Sequence, residues 1–177
     1  MTGRGVQSST LQFIREREGL RFSAYKDTGG TATVGYGATF YENQRRVQIG
    51  ETISRERAEQ LLLFHANYFA GAVNRLVTKQ LTQNQFDALV SFTFNLGEGS
   101  FGRSTLLRVI NSEPDNIYKI RAAFLLWPLP KRRELEAALY ASNVAKSGTV
   151  NNQSAIVQTA FGVAAIALLA TIYQKMK

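Results

Sequence analysis

Residues 18–37 read EGLRFSAYKDTGGTATVGYG, from Glu18 to Gly37, and this stretch decides the fold class. From Phe22 to Phe40 the chain is rich in Thr, Tyr, Val and Gly, which suit a pleated, half-buried surface. Asp27-Thr28-Gly29-Gly30 is a turn signal in its midst, since Asp bonds to its own backbone and Gly tolerates positive φ. The pattern predicts a small antiparallel hairpin, with Gln44 to Ile49 adding a further strand before Gly50.

Just upstream, Leu11, Ile14 and Arg15 recur at helical spacing behind an S-x-x-Q pattern, Ser9 with Gln12, that reads as a capping box. That helix carries Glu18 near its C-terminal end, and Gly19 is its stop. Downstream, Ser54 is an N-cap, and Ala58, Leu61, Leu62, His65, Ala66, Phe69, Ala72, Val73, Leu76 and Val77 follow at intervals of three and four, as one long helix. Thr82 with Gln85 opens a second capping box before an apolar helix through Phe86, Leu89, Val90 and Phe94. Shorter helices are expected at Ser104–Ile110, Asn116–Trp127 and Lys131–Ser142, with Pro114, Pro128 and Pro130 breaking the connections. The fold class is therefore α+β. A small lobe (about 8–53), a connecting helix (about 54–77) and a helical lobe (about 78–145) form one domain over 8–145, followed by a polar linker at 146–154.

With 177 residues, 45% hydrophobic and 19% charged, the chain is long enough to bury one substantial core and too apolar to be disordered. It has no cysteine, which removes disulfides, thiolate nucleophiles and cysteine metal sites. The net charge of +8 favours polyanionic surroundings: nucleic acid, anionic lipid or the acidic bacterial envelope. The basic residues are dispersed, and no nucleic-acid-binding motif accompanies them, so no nucleic-acid partner is expected. The N-terminal MTGRGVQSST holds no apolar stretch of the kind a secretory signal needs. At the other end, Ala155 to Tyr173 carries no charge and as a helix would measure about 28 Å, near a bilayer's hydrocarbon thickness. The segment 155–174 either associates with a membrane, the favoured reading, or docks on the domain as an extra helix; Gln158, Gly162 and Thr171 weaken insertion.

Two acids and a hydroxyl in the opening stretch form a chemical candidate. Glycoside hydrolysis needs one carboxyl to protonate the leaving oxygen and a second to manage water or the developing positive charge. Glu18, at a helix end facing a cleft between lobes, suits the first role, and Asp27, in a polar Gly/Thr turn, suits the second. Thr33 offers a hydroxyl that holds a water beside Asp27 without titrating. Residue chemistry alone favours reading the acids as a solvated helix end and a turn former.

The block EGLRFSAYKDTGGTATVGYG resembles the signature of glycoside hydrolase family 24, the lysozymes of T-even and lambdoid phages, in which Glu, eight residues, Asp, five residues and Thr form the catalytic set. Glu18, Asp27 and Thr33 fall on that spacing without a gap. A second block, Leu81 to Asn111, is similar to that family's helical lobe, where Phe94-Asn95-Leu96-Gly97 borders the substrate cleft. A third, Lys131-Arg132-Arg133-Glu134 with Glu136, resembles the Arg-rich stretch after the family's Trp, here Trp127. The resemblance implies a two-lobed muramidase, phage-encoded and free of cofactors and metals. Its substrate would be the peptidoglycan β-1,4 bond between N-acetylmuramic acid and N-acetylglucosamine, cleaved with inversion. Glu18 would be the general acid, while Asp27 and Thr33 position water. Tyr36, Gly37, Phe94, Asn95 and Arg133 would contact glycan, and one of the arginines would pair with Glu18. The chain has Ala38 where relatives often have His, and only Pro128-Leu129-Pro130 between Trp127 and the basic run, which leaves open whether Arg132 or Arg133 reaches the cleft.

Two other functions stay open: a lytic transglycosylase, which needs one acid and no water, and a membrane-anchored virion component whose lysozyme-like domain only binds wall glycan. An anchored enzyme would sit at the host inner membrane or in a virion membrane. Gly29-Gly30 and Gly35-x-Gly37 read as turn and strand glycines rather than a phosphate loop, since no Gly-Lys-Ser/Thr follows. His65, the one histidine, reads as a packed core residue rather than a metal ligand. Phe86, Phe92 and Phe101 read as core, with Phe94 at the cleft edge.

Overall fold

The structure is a computed structural model that describes residues 4–142. Helix α1 (Ser8–Glu18) leads into a hairpin of β1 (Arg21–Lys26) and β2 (Ala32–Gly35), paired antiparallel with Tyr25 opposite Thr33 and Lys26 opposite Ala32. The long helix α2 (Arg55–Leu76) follows, and then α3 (Gln83–Leu96), the short α4 (Glu98–Gly102), α5 (Thr105–Ser112), α6 (Ile117–Leu125) and α7 (Pro130–Ala141). The α+β class expected from the sequence is what the chain adopts.

Local chemistry accounts for most of the element starts. Ser54, Thr82, Ser104 and Asn116 each accept a backbone N–H three residues on, from Arg57, Gln85, Leu107 and Lys119. Each bond satisfies a donor that the first helical turn leaves orphaned. Gln85 returns the favour, its Oε1 accepting the Thr82 N–H at 2.8 Å, so this capping box forms as expected. Helix α7 instead starts with Pro130 in its first turn, where the missing N–H costs nothing.

The hydrophobic side chains gather into two cores. The small one, under the hairpin, holds Val34, Ala38, Val47 and Leu61, flanked by Ala24, Ala32, Tyr41 and Ile53. The large one is helical and contains Ile14, Leu62, Ala66, Phe86, Leu89, Phe92, Phe101, Phe124 and Tyr140. Helix α2 serves both, since Leu61 enters the small core while Leu62, Ala66, Ala70 and Val73 enter the large one. Each fully buried Leu or Phe contributes about 1.5–3 kcal/mol relative to exposure, so the connecting helix is held at both ends by burial rather than by propensity. Around Phe92, the rings of Phe101, Phe124 and Trp127 stand edge-on at 6.1, 5.4 and 5.6 Å, an arrangement that suits the aromatic quadrupole.

Several sequence expectations need correction. Ser9 and Gln12 do not cap α1. The cap is Gln7, whose N–H donates to Thr10 Oγ1 at 3.3 Å, while Ser9 lies inside the helix with its hydroxyl toward Asp87 and Gln12 donates to Glu16. The tertiary partner Asp87 takes Ser9, and Gln12 bonds along its own helix instead. Gln44 to Ile49 forms no strand, because Gln44 takes φ 66° and breaks the extended run; a Phe40–Arg46 bridge with Tyr41 N–H to Arg45 O and Val47 N–H to Thr39 O bonds takes its place. Helix α4 was not anticipated, and α6 ends at Leu125 rather than Trp127. The linker 146–154 and the apolar segment 155–174 lie outside the described residues. Among the described residues no helix is long and apolar enough to cross a membrane.

Candidate active site

Glu18 is the last residue of α1, and Gly19 ends the helix at φ 68°, a conformation that turns the chain into β1 and that glycine adopts at little cost. Its carboxyl sits where three parts of the fold meet. Oε1 accepts from Arg132 Nη1 of α7 at 2.7 Å. Oε2 lies 3.6 Å from the point a Cβ would occupy on Gly37, which follows the hairpin, and Phe94 Cε1 of α3 lies 3.9 Å from that same point. The Glu18 side chain keeps only 15% of its exposure and Arg132 7%, so this ion pair is shielded from solvent on most sides.

Asp27 occupies the hairpin turn expected from its sequence. Oδ1 accepts the N–H groups of Gly29 at 2.9 Å and Thr31 at 2.8 Å, and its own N–H donates to Thr31 O at 2.9 Å. One carboxylate oxygen thus builds the turn, and Oδ2 takes no protein donor among the described residues. Thr33, buried on β2 beside that turn, donates from Oγ1 to Thr31 O at 3.1 Å and keeps its oxygen lone pairs for accepting.

The remaining expected contacts divide. Gly37 and Phe94 are brought to Glu18. Tyr36 is not free to meet a ligand through its hydroxyl. Its ring is in the large core, and its Oη donates to Glu59 Oε1 at 2.8 Å, a carboxylate also held by Arg15 at 2.6 Å. Asn95 accepts from Arg133 Nη2. Arg133 itself is wholly enclosed, with its guanidinium 4.9 Å from the Phe92 ring centre, so the expected glycan contact from Arg133 is corrected to a supporting role beneath Asn95.

Sequence reasoning placed Glu136 in the Arg-rich block without giving it a role, and it missed Ser91. Glu136 is fully buried, with Oε1 accepting from Ser91 Oγ at 2.7 Å and Arg132 Nε at 3.0 Å, and Oε2 facing Arg133 Nη1 at 2.8 Å. The last contact is an ion pair without hydrogen-bond alignment. Arg132 Nη2 completes the set by donating to Ser91 O at 3.2 Å and Ser91 Oγ at 3.3 Å. Burial pushes the Glu136 carboxyl above its ordinary range, and the two guanidiniums pull against that. The i, i+4 and i, i+3 spacing of Arg132, Arg133 and Glu136 on one helix was the available signal.

His65 lies within an aromatic group, with its ring 4.5 Å from Phe40 and 6.4 Å from Phe94, and its Nε2 is 2.8 Å from Phe40 O. Burial holds its pKa below the usual value, as the packed reading of this residue requires.

The family model described as phage lysozyme matches residues 15–144. An endolysin of Salmonella phage P22 is 36% identical over 146 residues, 77% of this chain and 98% of that protein. An endolysin of Acyrthosiphon pisum secondary endosymbiont phage 1 is 35% identical, with the same coverage. Among solved structures, an endolysin from Escherichia coli O157:H7 phage FAHEc1 superimposes with a TM-score of 0.70 at 33% identity, covering 78% of this chain and 94% of that one. The muramidase domain of SpmX from Asticaccaulis excentricus gives 0.67 at 34% identity, covering 77% and 98%. With the family match spanning most of the chain and relatives of about this length covered almost end to end, the chain belongs to the phage lysozyme family.

Proposed function

We propose that this protein is a muramidase that hydrolyses the glycan strands of bacterial peptidoglycan, acting on the bacterial cell wall. The observation that carries the reading is a division of labour between two carboxyls. Glu18 is largely enclosed at the lobe junction, and Asp27 keeps one oxygen for its turn and one for solvent. A carboxyl enclosed at the lobe junction suits contact with the leaving oxygen, and a carboxylate oxygen left without a protein donor suits contact with water. Glu18 is the general acid for the leaving oxygen. Asp27 and Thr33 position the water that attacks the opposite face of the sugar, with inversion at the anomeric carbon. The bond attacked is the β-1,4 link between N-acetylmuramic acid and N-acetylglucosamine. Gly37, Phe94 and Asn95 border the sugar. The apolar 155–174 segment associates the enzyme with a membrane, a reading that rests on sequence alone and that protease protection of the tail in isolated membranes tests.

The experiment is digestion of purified peptidoglycan followed by product mass, for the wild type and Glu18→Gln. Reducing muramic ends that vanish in the variant are expected. Anhydro ends would assign a lytic transglycosylase, and no product from folded wild-type protein would leave a wall-binding domain.

A further inference from the structure

We propose that Glu136 is a positioning residue. Together with Ser91 it locks Arg132 against Glu18 and divides the Arg132 charge between two carboxylates. The proposal rests on the muramidase reading for its activity arm only.

The geometry assigns each nitrogen of Arg132 a separate task. Nη1 goes to Glu18, Nε to Glu136, and Nη2 to the Ser91 carbonyl and hydroxyl. A guanidinium is a planar fork, so fixing two of its three nitrogens fixes the third. Ser91 closes the frame, because its hydroxyl donates to the same Glu136 oxygen that Arg132 Nε uses. A flexible cation at this place would swing to solvent or bind Glu18 through both oxygens. Held at its other end, Arg132 reaches Glu18 through Nη1 and is given only Oε1.

The charges around the pair are few and nameable. Helix α1 contributes Glu18 and Arg17, whose guanidinium packs on the Phe13 ring and pairs with Glu16 at 3.5 Å. Helix α7 contributes Arg132, Arg133 and Glu136. Helix α3 contributes only neutral partners, Ser91 and Asn95, while its Asp87 is turned to Thr10 and Gln83. Arg132 is therefore shared between Glu18 and Glu136, and Glu136 is the second carboxylate that draws on its charge. Without it the Arg132 charge is no longer divided and falls on Glu18 alone.

The test compares Glu136→Gln and Ser91→Ala with Glu134→Gln, a control on the same helix whose partner is the half-exposed Arg121. The readouts are the pH–kcat profile on purified peptidoglycan, the carbon-13 titration of Glu18, and thermal melting. In Glu136→Gln the alkaline limb of kcat and the Glu18 titration should both move to lower pH by about one unit. Ser91→Ala should move them the same way by less, with KM unchanged, and the control should move neither. A Glu18 titration that coincides with wild type in a folded Glu136→Gln protein overturns the proposal. So does a loss of kcat that is uniform across pH and follows the folded fraction. Should Glu136→Gln fail to fold, Ser91→Ala carries the test, since it keeps every charge, and an unmoved titration there overturns the proposal equally. Because that titration needs no substrate, an inactive wild type would refute the muramidase reading without touching this one.

Discussion

Arg132 donates from Nη1 to Glu18 Oε1 across 2.7 Å, joining the end of α1 to the start of α7 over 114 positions of sequence. The same guanidinium binds Glu136 at 3.0 Å, so it is shared by an acid at the lobe junction and an acid in the core. Replacing Arg132 by Met should cost about 3–5 kcal/mol, because Glu136 would keep one poorly aligned cation in a buried site. Urea unfolding reads this as a lower midpoint at unchanged slope. A loss below about 1 kcal/mol would place the pair in the weak class of surface ion pairs.

Asp27→Asn separates the structural oxygen of this side chain from the chemical one. The amide oxygen still accepts from Gly29 and Thr31 N–H, so the hairpin and the melting temperature should change little. Activity should fall by about a hundredfold or more, as expected when a group acting on water loses its charge. Equal losses of stability and activity would mean that Asp27 serves only the turn.

Gly37→Ala probes the floor beneath the acid. Gly37 has φ 93°, where a Cβ is strained by about 1–2 kcal/mol, and the added methyl would rest 3.6 Å from Glu18 Oε2. Wall-clearing rate should drop more than the stability loss accounts for, since the methyl occupies the face of the carboxyl that Arg132 leaves open. Denaturation and turbidity assays on one preparation compare the two effects.

His65 links stability to pH. Its folded pKa is held by burial below the ordinary histidine value of 6.5, so the unfolded state takes up the proton first as pH falls. The stability it supports is complete above about pH 6.5 and is lost as pH drops through the lower folded value. His65→Gln should flatten the melting-temperature curve below about pH 6.5 relative to wild type. An equally steep curve would assign the acid loss to other groups.

Much of this fold was legible locally. The Asp27 turn, the Gly19 stop, the Ser54 and Thr82 caps and the apolar stripe of α2 depend on contacts within a few residues, which sequence spacing encodes directly. Where a long-range partner competed, the local reading failed. Asp87 of α3 claimed Ser9 and Thr10 from the first helix, and the expected capping box shifted to Gln7. At Gln44 a single positive φ breaks the further strand expected over Gln44 to Ile49.

The sequence by itself determined that a helix ends at Glu18, that Asp27 opens a turn, and that Thr33 follows on the returning strand, because hydrophobic period and turn chemistry are local properties. It left open which of two adjacent arginines serves the acid. Neighbours on a helix project about 100° apart, so that choice depends on the rotational phase of α7 against α1 and α3. The chain sets this phase at Leu129, which takes φ 66° before Pro130 begins the helix. Packing then turns Arg132 to Glu18 and buries Arg133 over Phe92, an outcome only the assembled tertiary structure decides.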